Sequence, residues 1–250
     1  MLNNQTIDKL LSMKLNGMVK ALQGQEDIAD VQKLAFHDRL ALLIDAEYSD
    51  RESQKLGRRL KTAKLKQSAV MEDIDFSHPR GLERGLISQL STGQWVREGL
   101  NVLITGPTGV GKSYLACALA HKVCKLGFSP AYYRAPRFFQ DLMVARMDGS
   151  YNKFLNKLLK FDLLVLDDFA LIPVTEENSR DLLEVTDDRC GHRSLLISSQ
   201  VPVEDWHRTF ENPTLADAIL DRIIHSAYKI ELTGKTLRGK RKKKDSKGEQ

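Results

Sequence analysis

The chain has 250 residues, 42% of them hydrophobic and 28% charged, enough for one α/β core of about 150–180 residues and a small appended unit. No apolar run approaches the roughly 18 residues of a membrane span and Met1 opens no signal-peptide pattern, which points to a cytoplasmic protein. Cys117, Cys124 and Cys190 form no CxxC, so buried thiols are expected and a cysteine metal site is not. The net charge of +5 conceals an asymmetry: residues 51–66 carry +6, residues 235–250 another +6, and the remainder −7. Basic charge gathered into two segments of an acidic body suggests a polyanionic partner.

Residues 1–70 read as helical throughout. Ile7, Leu10, Leu11, Leu15, Met18 and Leu22 keep a 3.6-residue period that ends at Gly24. Phe36, Leu40, Leu43 and Ile44 begin a second helix, and Leu56, Leu60 and Ala63 a third. On that third helix Arg51, Lys55, Arg58, Arg59, Lys61, Lys64 and Lys66 fall off the apolar stripe, so they are expected to project and to meet nucleic-acid phosphates. Residues 71–99, with His78-Pro79-Arg80-Gly81, read as a connector.

From residue 100 onward strands alternate with helices, which predicts an α/β core with a parallel sheet flanked by helices. The expected strands are 102–105, 131–134, 163–166, 194–198 and 228–232. The first runs directly into Gly106-Pro107-Thr108-Gly109-Val110-Gly111-Lys112-Ser113, a GxxxxGKS loop, and a helix begins near Tyr114. Glycines let the backbone N–H groups of such a loop face a triphosphate, backed by the dipole of the next helix. Lys112 is expected to reach the β- and γ-phosphates and Ser113 to ligate Mg²⁺. A second metal-holding carboxylate should end a neighbouring strand, and Leu163-Leu164-Val165-Leu166-Asp167-Asp168 supplies it. Asp167 is expected to hold Mg²⁺ through water and Asp168 to polarise an attacking water. The fourth strand ends in Ser199-Gln200, a polar pair aimed at the γ-phosphate if the sheet is ordered accordingly. A guanine-selective site would want an N/TKxD stretch, which is absent, so ATP is the expected nucleotide.

Between the second and third strands lie Arg137, Lys153, Lys157 and Lys160, the three lysines spaced so that one helix face follows a phosphate line. The alternative is exposed lysines on a helix packed by Phe154, Leu155, Leu158 and Leu159. Phe138, Phe139 and Tyr151 read as core. No element reads base edges, so any DNA binding should be largely independent of sequence.

Taken in order, GPTGVGKS, LLVLDDF, LLISSQVPVEDWH, LADAILDRI and TGKTLRGKR behind a basic helical region resemble the AAA+ ATPases of the initiator and helicase-loader branch. Within that branch the chain is similar to the IstB-like helper ATPases of insertion sequences. The resemblance implies a polar sensor at Gln200, an arginine finger at Arg222 donated to the ATP of an adjacent subunit, and a nucleotide-reporting arginine at Arg238. Most of these ATPases carry Glu where this chain has Asp168, which implies slow hydrolysis. The resemblance also implies a basic helical domain over 1–70 for DNA binding or oligomerisation, an ATPase core over 100–234 with a reduced lid, and a basic tail over 235–250. The function it implies is an ATPase that self-assembles on double-stranded DNA, as a ring or a helix with ATP at subunit interfaces, and assists a partner transposase. The rival readings are a DnaC-like replicative helicase loader, a small-molecule kinase built on the same phosphate loop, and a nucleotide-gated scaffold.

Overall fold

The computed structural model describes residues 4–27 and 33–237, which divide into two compact units, 1–58 and 59–250. The 235–250 tail from residue 238 onward, Arg238 included, lies outside the described residues. No helix among the described residues is long and apolar enough to cross a membrane.

The first unit holds α1 (Asn4–Ser12), α2 (Asn16–Asp27) and the greater part of α3 (Phe36–Ala63). The periodicity predicts one helix over 7–22, but the chain breaks it at residues 13–15. Lys14 takes φ +59°, its N–H donating to Leu11 O (2.9 Å) while Leu15 N–H donates to Leu10 O (2.9 Å). That pair of bonds is a Schellman end, closed here on a lysine where glycine is the usual signal. A break is likewise expected between the second and third apolar stripes, and there is none. α3 is continuous over 28 residues, passing through Gly57, which costs a helix interior only about 1 kcal/mol. Ion pairs Arg51–Glu47 (2.6 Å) and Lys55–Glu52 (2.7 Å) line it.

The second unit begins with the last turn of α3 and continues through α4 (Arg84–Ser91) and α5 (Gln94–Arg97). A regular alternation follows: β1 (Asn101–Thr105), α6 (Lys112–Lys125), β2 (Pro130–Arg134), α7 (Ala135–Met147), α8 (Tyr151–Leu158), β3 (Leu163–Phe169), α9 (Glu176–Arg189), β4 (Ser194–Ser199), α10 (Pro213–Ile224) and β5 (Ala227–Glu231). The five strands are all parallel, in the order β2-β3-β4-β1-β5. The three inner strands β3, β4 and β1 are covered on both faces and carry continuous apolar runs, whereas the edge strands β2 and β5 are partly exposed. Leu164 and Leu166 enter one core with Phe138, Leu142, Ile197 and Ile219. Leu163 and Val165 enter the other with Val102, Ile104, Leu119 and Leu196. Ala69, Ile74, Ile87, Leu90, Trp95 and Val96 also lie in that second core. The 71–99 stretch, expected as a connector, is therefore a packed part of this unit.

β4 lies between β1 and β3, so the loop after β1 and the carboxylates of β3 open on the same, carboxyl edge of the sheet. That edge is where open α/β sheets bind ligands.

Candidate nucleotide site

The loop between β1 and α6 is shaped by its glycines. Gly106 (φ +140°) passes so close to Leu232 that a Cβ would sit 2.0 Å from its carbonyl oxygen. At Gly111 (φ +106°), on the threshold of α6, a Cβ would fall 2.7 Å from the Arg80 guanidinium. Arg80 is buried and donates to Val110 O (3.1 Å) and Asp75 O (3.0 Å), tying the segment before the core to the loop. From the other side Leu237 N–H donates to Gly109 O (2.9 Å). The Lys112 ammonium donates to Gly106 O (2.6 Å) and Pro107 O (2.9 Å). Thr108 and Pro107 stand exposed at the loop tip, Val110 is buried, and Tyr114 is half-buried on the first turn of α6. A glycine-shaped loop, a lysine and a helix N-terminus are the parts from which a polyphosphate cradle is built.

Asp167 is fully buried at the end of β3 and accepts four hydrogen bonds. Ser113 (3.0 Å) and Ser198 donate to Oδ1, and Tyr132 and Lys66 (3.1 Å) to Oδ2. Burial pushes this carboxyl up, but the bonds from Ser198, Tyr132, Ser113 and Lys66 outweigh it and hold it below its ordinary range. The Tyr132 phenol is raised by burial and by the Asp167 bond, so it stays a donor. A hydroxyl and an ionised carboxylate, 3.0 Å apart, are the hard oxygen donors that Mg²⁺ takes alongside phosphate and water. Bound there, the ion would neutralise charge on the β- and γ-phosphates.

Asp168 takes φ +60° at a register shift in β3, and its carboxylate turns outward to Arg134 (3.0 Å) and Lys66 (3.8 Å). Gln200 Oε1 accepts from Thr108 Oγ1 (2.6 Å), so the end of β4 meets the tip of the phosphate loop. The neighbouring Ser199 serves the fold, donating to Phe169 O (2.7 Å).

Arg222 lies elsewhere. It sits at the end of α10, where Asn101 Nδ2 donates to the Arg222 carbonyl (3.2 Å) and its own guanidinium is paired with Asp187. Asn101 is the first residue of β1, whereas the phosphate loop follows the last, so Arg222 is at the opposite edge of the sheet.

The residues expected to meet DNA fall into three groups. Arg51, Lys55, Arg58, Lys61 and Lys64 are exposed, and so are Lys153, Lys157 and Lys160, on and just after α8. Arg59 donates to Cys124 O (3.5 Å), and Arg137 pairs with Asp141 (3.0 Å). Lys66 corrects its expectation: α3 stops at Ala63, so Lys66 is off the helix face and reaches Ser113 and Asp167, the pair expected to hold the metal. Cys190, expected buried with Cys117 and Cys124, is exposed. Nothing in the sequence pointed Lys66, Tyr132 or Arg80 to this site, because each belongs to it only through a tertiary contact. Ser198 alone had a hint, as a polar residue closing an apolar strand beside Ser199-Gln200.

The parallel sheet, the strand order and the phosphate loop define a P-loop ATPase of the AAA+ class. Among solved structures, the chain superposes on DnaI with a TM-score of 0.58 and 24% identity, covering 66% of this chain and 91% of that one. On AMPPCP-bound DnaA from Aquifex aeolicus the TM-score is 0.57 with 21% identity, over 74% of this chain and 56% of that one. At those identities the likeness is one of fold. Residues 8–245 match the family model described as IstB-like ATP binding protein, and the chain belongs to that family. It is 46% identical to the insertion sequence ATP-binding protein y4pL of Sinorhizobium fredii, across 98% of this chain and 100% of the relative. It is 44% identical to the ATP-binding protein of insertion sequence IS1162 of Pseudomonas fluorescens, across 81% and 88%. This is an ATP-binding AAA+ protein of the kind associated with insertion-sequence transposition.

Proposed function

We propose that copies of this protein bind Mg-ATP at Gly106–Tyr114, assemble along double-stranded DNA, and present that assembly to the transposase of their insertion sequence. Lys112 and Gln200 face the γ-phosphate, Ser113 and Asp167 hold Mg²⁺, and Asp168 orients the attacking water. Hydrolysis is slow and takes the assembly apart, so the protein acts as a switch. The observation that carries this reading is the position of Arg222. Four strand rises of about 3.3 Å separate the two ends of β1, roughly 13 Å, so Arg222 cannot serve its own nucleotide and, on leaving Asp187, would serve that of another copy. An arginine contributed in this way typically accelerates phosphoryl transfer by about 10³-fold or more. The exposed Lys153, Lys157 and Lys160 and the exposed Arg51, Lys55, Arg58, Lys61 and Lys64 support contact with the DNA backbone.

The test is binding to single- and double-stranded DNA with ATP, ADP or no nucleotide, with particle size followed by light scattering. Wild-type protein should bind duplex and form large particles only with ATP, and Lys112→Ala and Arg222→Ala should do neither. Small particles throughout, with duplex binding absent or indifferent to nucleotide, would overturn the reading in favour of a helicase loader.

A further inference from the structure

The segment that follows α3 is anchored on both sides of one lysine. α3 ends at Ala63, which is fully buried, and Lys64 closes it with φ +52°, a left-handed conformation uncommon for a residue with a side chain. Leu65 and Ala69 pack into the core that covers α6. The backbone N–H groups of Lys66 and Gln67 meet the buried Cys117 thiol of α6. Between these anchors the Lys66 ammonium lies 3.1 Å from Asp167 Oδ2, 3.4 Å from Ser113 Oγ and 3.8 Å from Asp168 Oδ2. It touches both oxygens that would hold the metal.

A carboxylate offers about four lone-pair sites, and those of Asp167 are all taken, by Ser113, Ser198, Tyr132 and Lys66. Mg²⁺ arriving at Ser113 and Asp167 must displace one of them. Ser198 and Tyr132 are buried in the sheet, and the Ser113 hydroxyl has only to rotate toward the ion. Lys66, whose side chain is 41% exposed, is the one donor that can withdraw into water. Repulsion between an ammonium and a divalent ion a few ångströms apart drives it the same way. We propose that Lys66 and Mg²⁺ are alternative cations at this oxygen pair, so that Mg-nucleotide loading expels Lys66 and loosens the 64–69 strap, and loss of the metal lets the strap return. The inference rests on the ATP reading above and gives its site a built-in competitor for the metal. Because the strap follows α3 directly in the chain, site occupancy is passed to the entrance of the ATPase unit.

The experiment is a Mg²⁺ titration of fluorescent ADP binding to the full-length protein, comparing wild type with Lys66→Met and Lys66→Gln, together with amide hydrogen exchange on wild type. In both variants the Mg²⁺ concentration at half-saturation should fall about tenfold. Exchange at residues 64–69 of the wild type should speed up with Mg-ADP and stay as in the free protein with ADP and EDTA. A midpoint that stays put or rises in the variants, or a strap equally protected in every wild-type state, overturns the proposal. The wild-type exchange arm decides the matter even if both variants fold poorly. Wild-type protein that binds no nucleotide at any Mg²⁺ concentration overturns the ATP reading itself, and this inference with it.

Discussion

Asp75 is an exposed carboxylate tuned by its own turn. It accepts hydrogen bonds from Ser77 Oγ (2.6 Å) and Ser77 N–H (2.8 Å), and it faces His78 Nδ1 (2.8 Å). The Ser77 bonds, with His78 behind them, bring its pKa down to about 2. A folded value below the ordinary 3.8 means that the contribution of this turn to stability is complete above about pH 4 and is lost as pH falls through 2. Ser77→Ala should return the Asp75 carboxyl toward 3.8, read directly by ¹³C NMR titration. Arg189 is the opposite case, a buried guanidinium whose pKa burial lowers to about 10, so it remains charged at neutral pH. It caps the carbonyls of Leu158 (3.0 Å), Phe161 (3.2 Å) and Ser194 (2.8 Å). Arg189→Met takes a donor from each of these carbonyls and should cost about 2–4 kcal/mol in denaturant unfolding. Nucleotide affinity at the far edge of the sheet should be unchanged.

Among the elements, β3 has the most exacting task. A regular strand would send Asp167 and Asp168 to opposite faces. The shift between Leu166 and Phe169, with Asp168 at φ +60°, instead keeps Asp167 in the buried network and turns Asp168 toward Arg134. Re-aiming a side chain at a site is what such irregularities do. If Asp168 orients the attacking water as proposed, Asp168→Asn should cut turnover by about 10²–10³-fold and leave nucleotide affinity intact. Single-turnover hydrolysis beside equilibrium binding would separate the two. All five strands lie within a residue of their expected starts; the inner β1, β3 and β4 are written as aliphatic runs, and the edge strands β2 and β5 as short tyrosine-containing segments. Helix boundaries in the first 70 residues were not legible in the same way. The Schellman end at Lys14 carries no glycine, and the continuity of α3 through Gly57 depends on nothing that interrupts a period.

At the scale of the molecule, charge is sorted by edge and face. The phosphate cradle opens on the carboxyl edge of the sheet and Arg222 lies at the other. Lys153, Lys157 and Lys160 lie outside both, on and beside α8, whose Leu155 and Leu158 are buried. If DNA follows that face, each lysine neutralises one phosphate and adds about 0.9 to the salt slope of binding. Lys153→Ala, Lys157→Ala and Lys160→Ala together should lower the slope of log K against log salt by about 2–3. The loss should be uniform across DNA sequences, measured by fluorescence anisotropy over a salt series. An unchanged slope would assign these lysines to a solvated helix face.

The sequence by itself determined the nucleotide chemistry and the class of fold. GPTGVGKS and LLVLDD are contiguous, and a contiguous stretch carries its own geometry: a strand, a glycine-shaped turn, a helix N-terminus, a carboxylate at a strand end. The family pattern is likewise spread along the chain in a fixed order. Tertiary structure alone decided which groups surround Asp167. Lys66, Tyr132 and Ser198 are 101, 35 and 31 residues away from it, and only the β2-β3-β4 order and the packing of the strap on α6 bring them together. It also decided that Arg222 faces away from the phosphate loop of its own chain, because the polarity of a parallel sheet puts the two ends of β1 on opposite sides of the molecule.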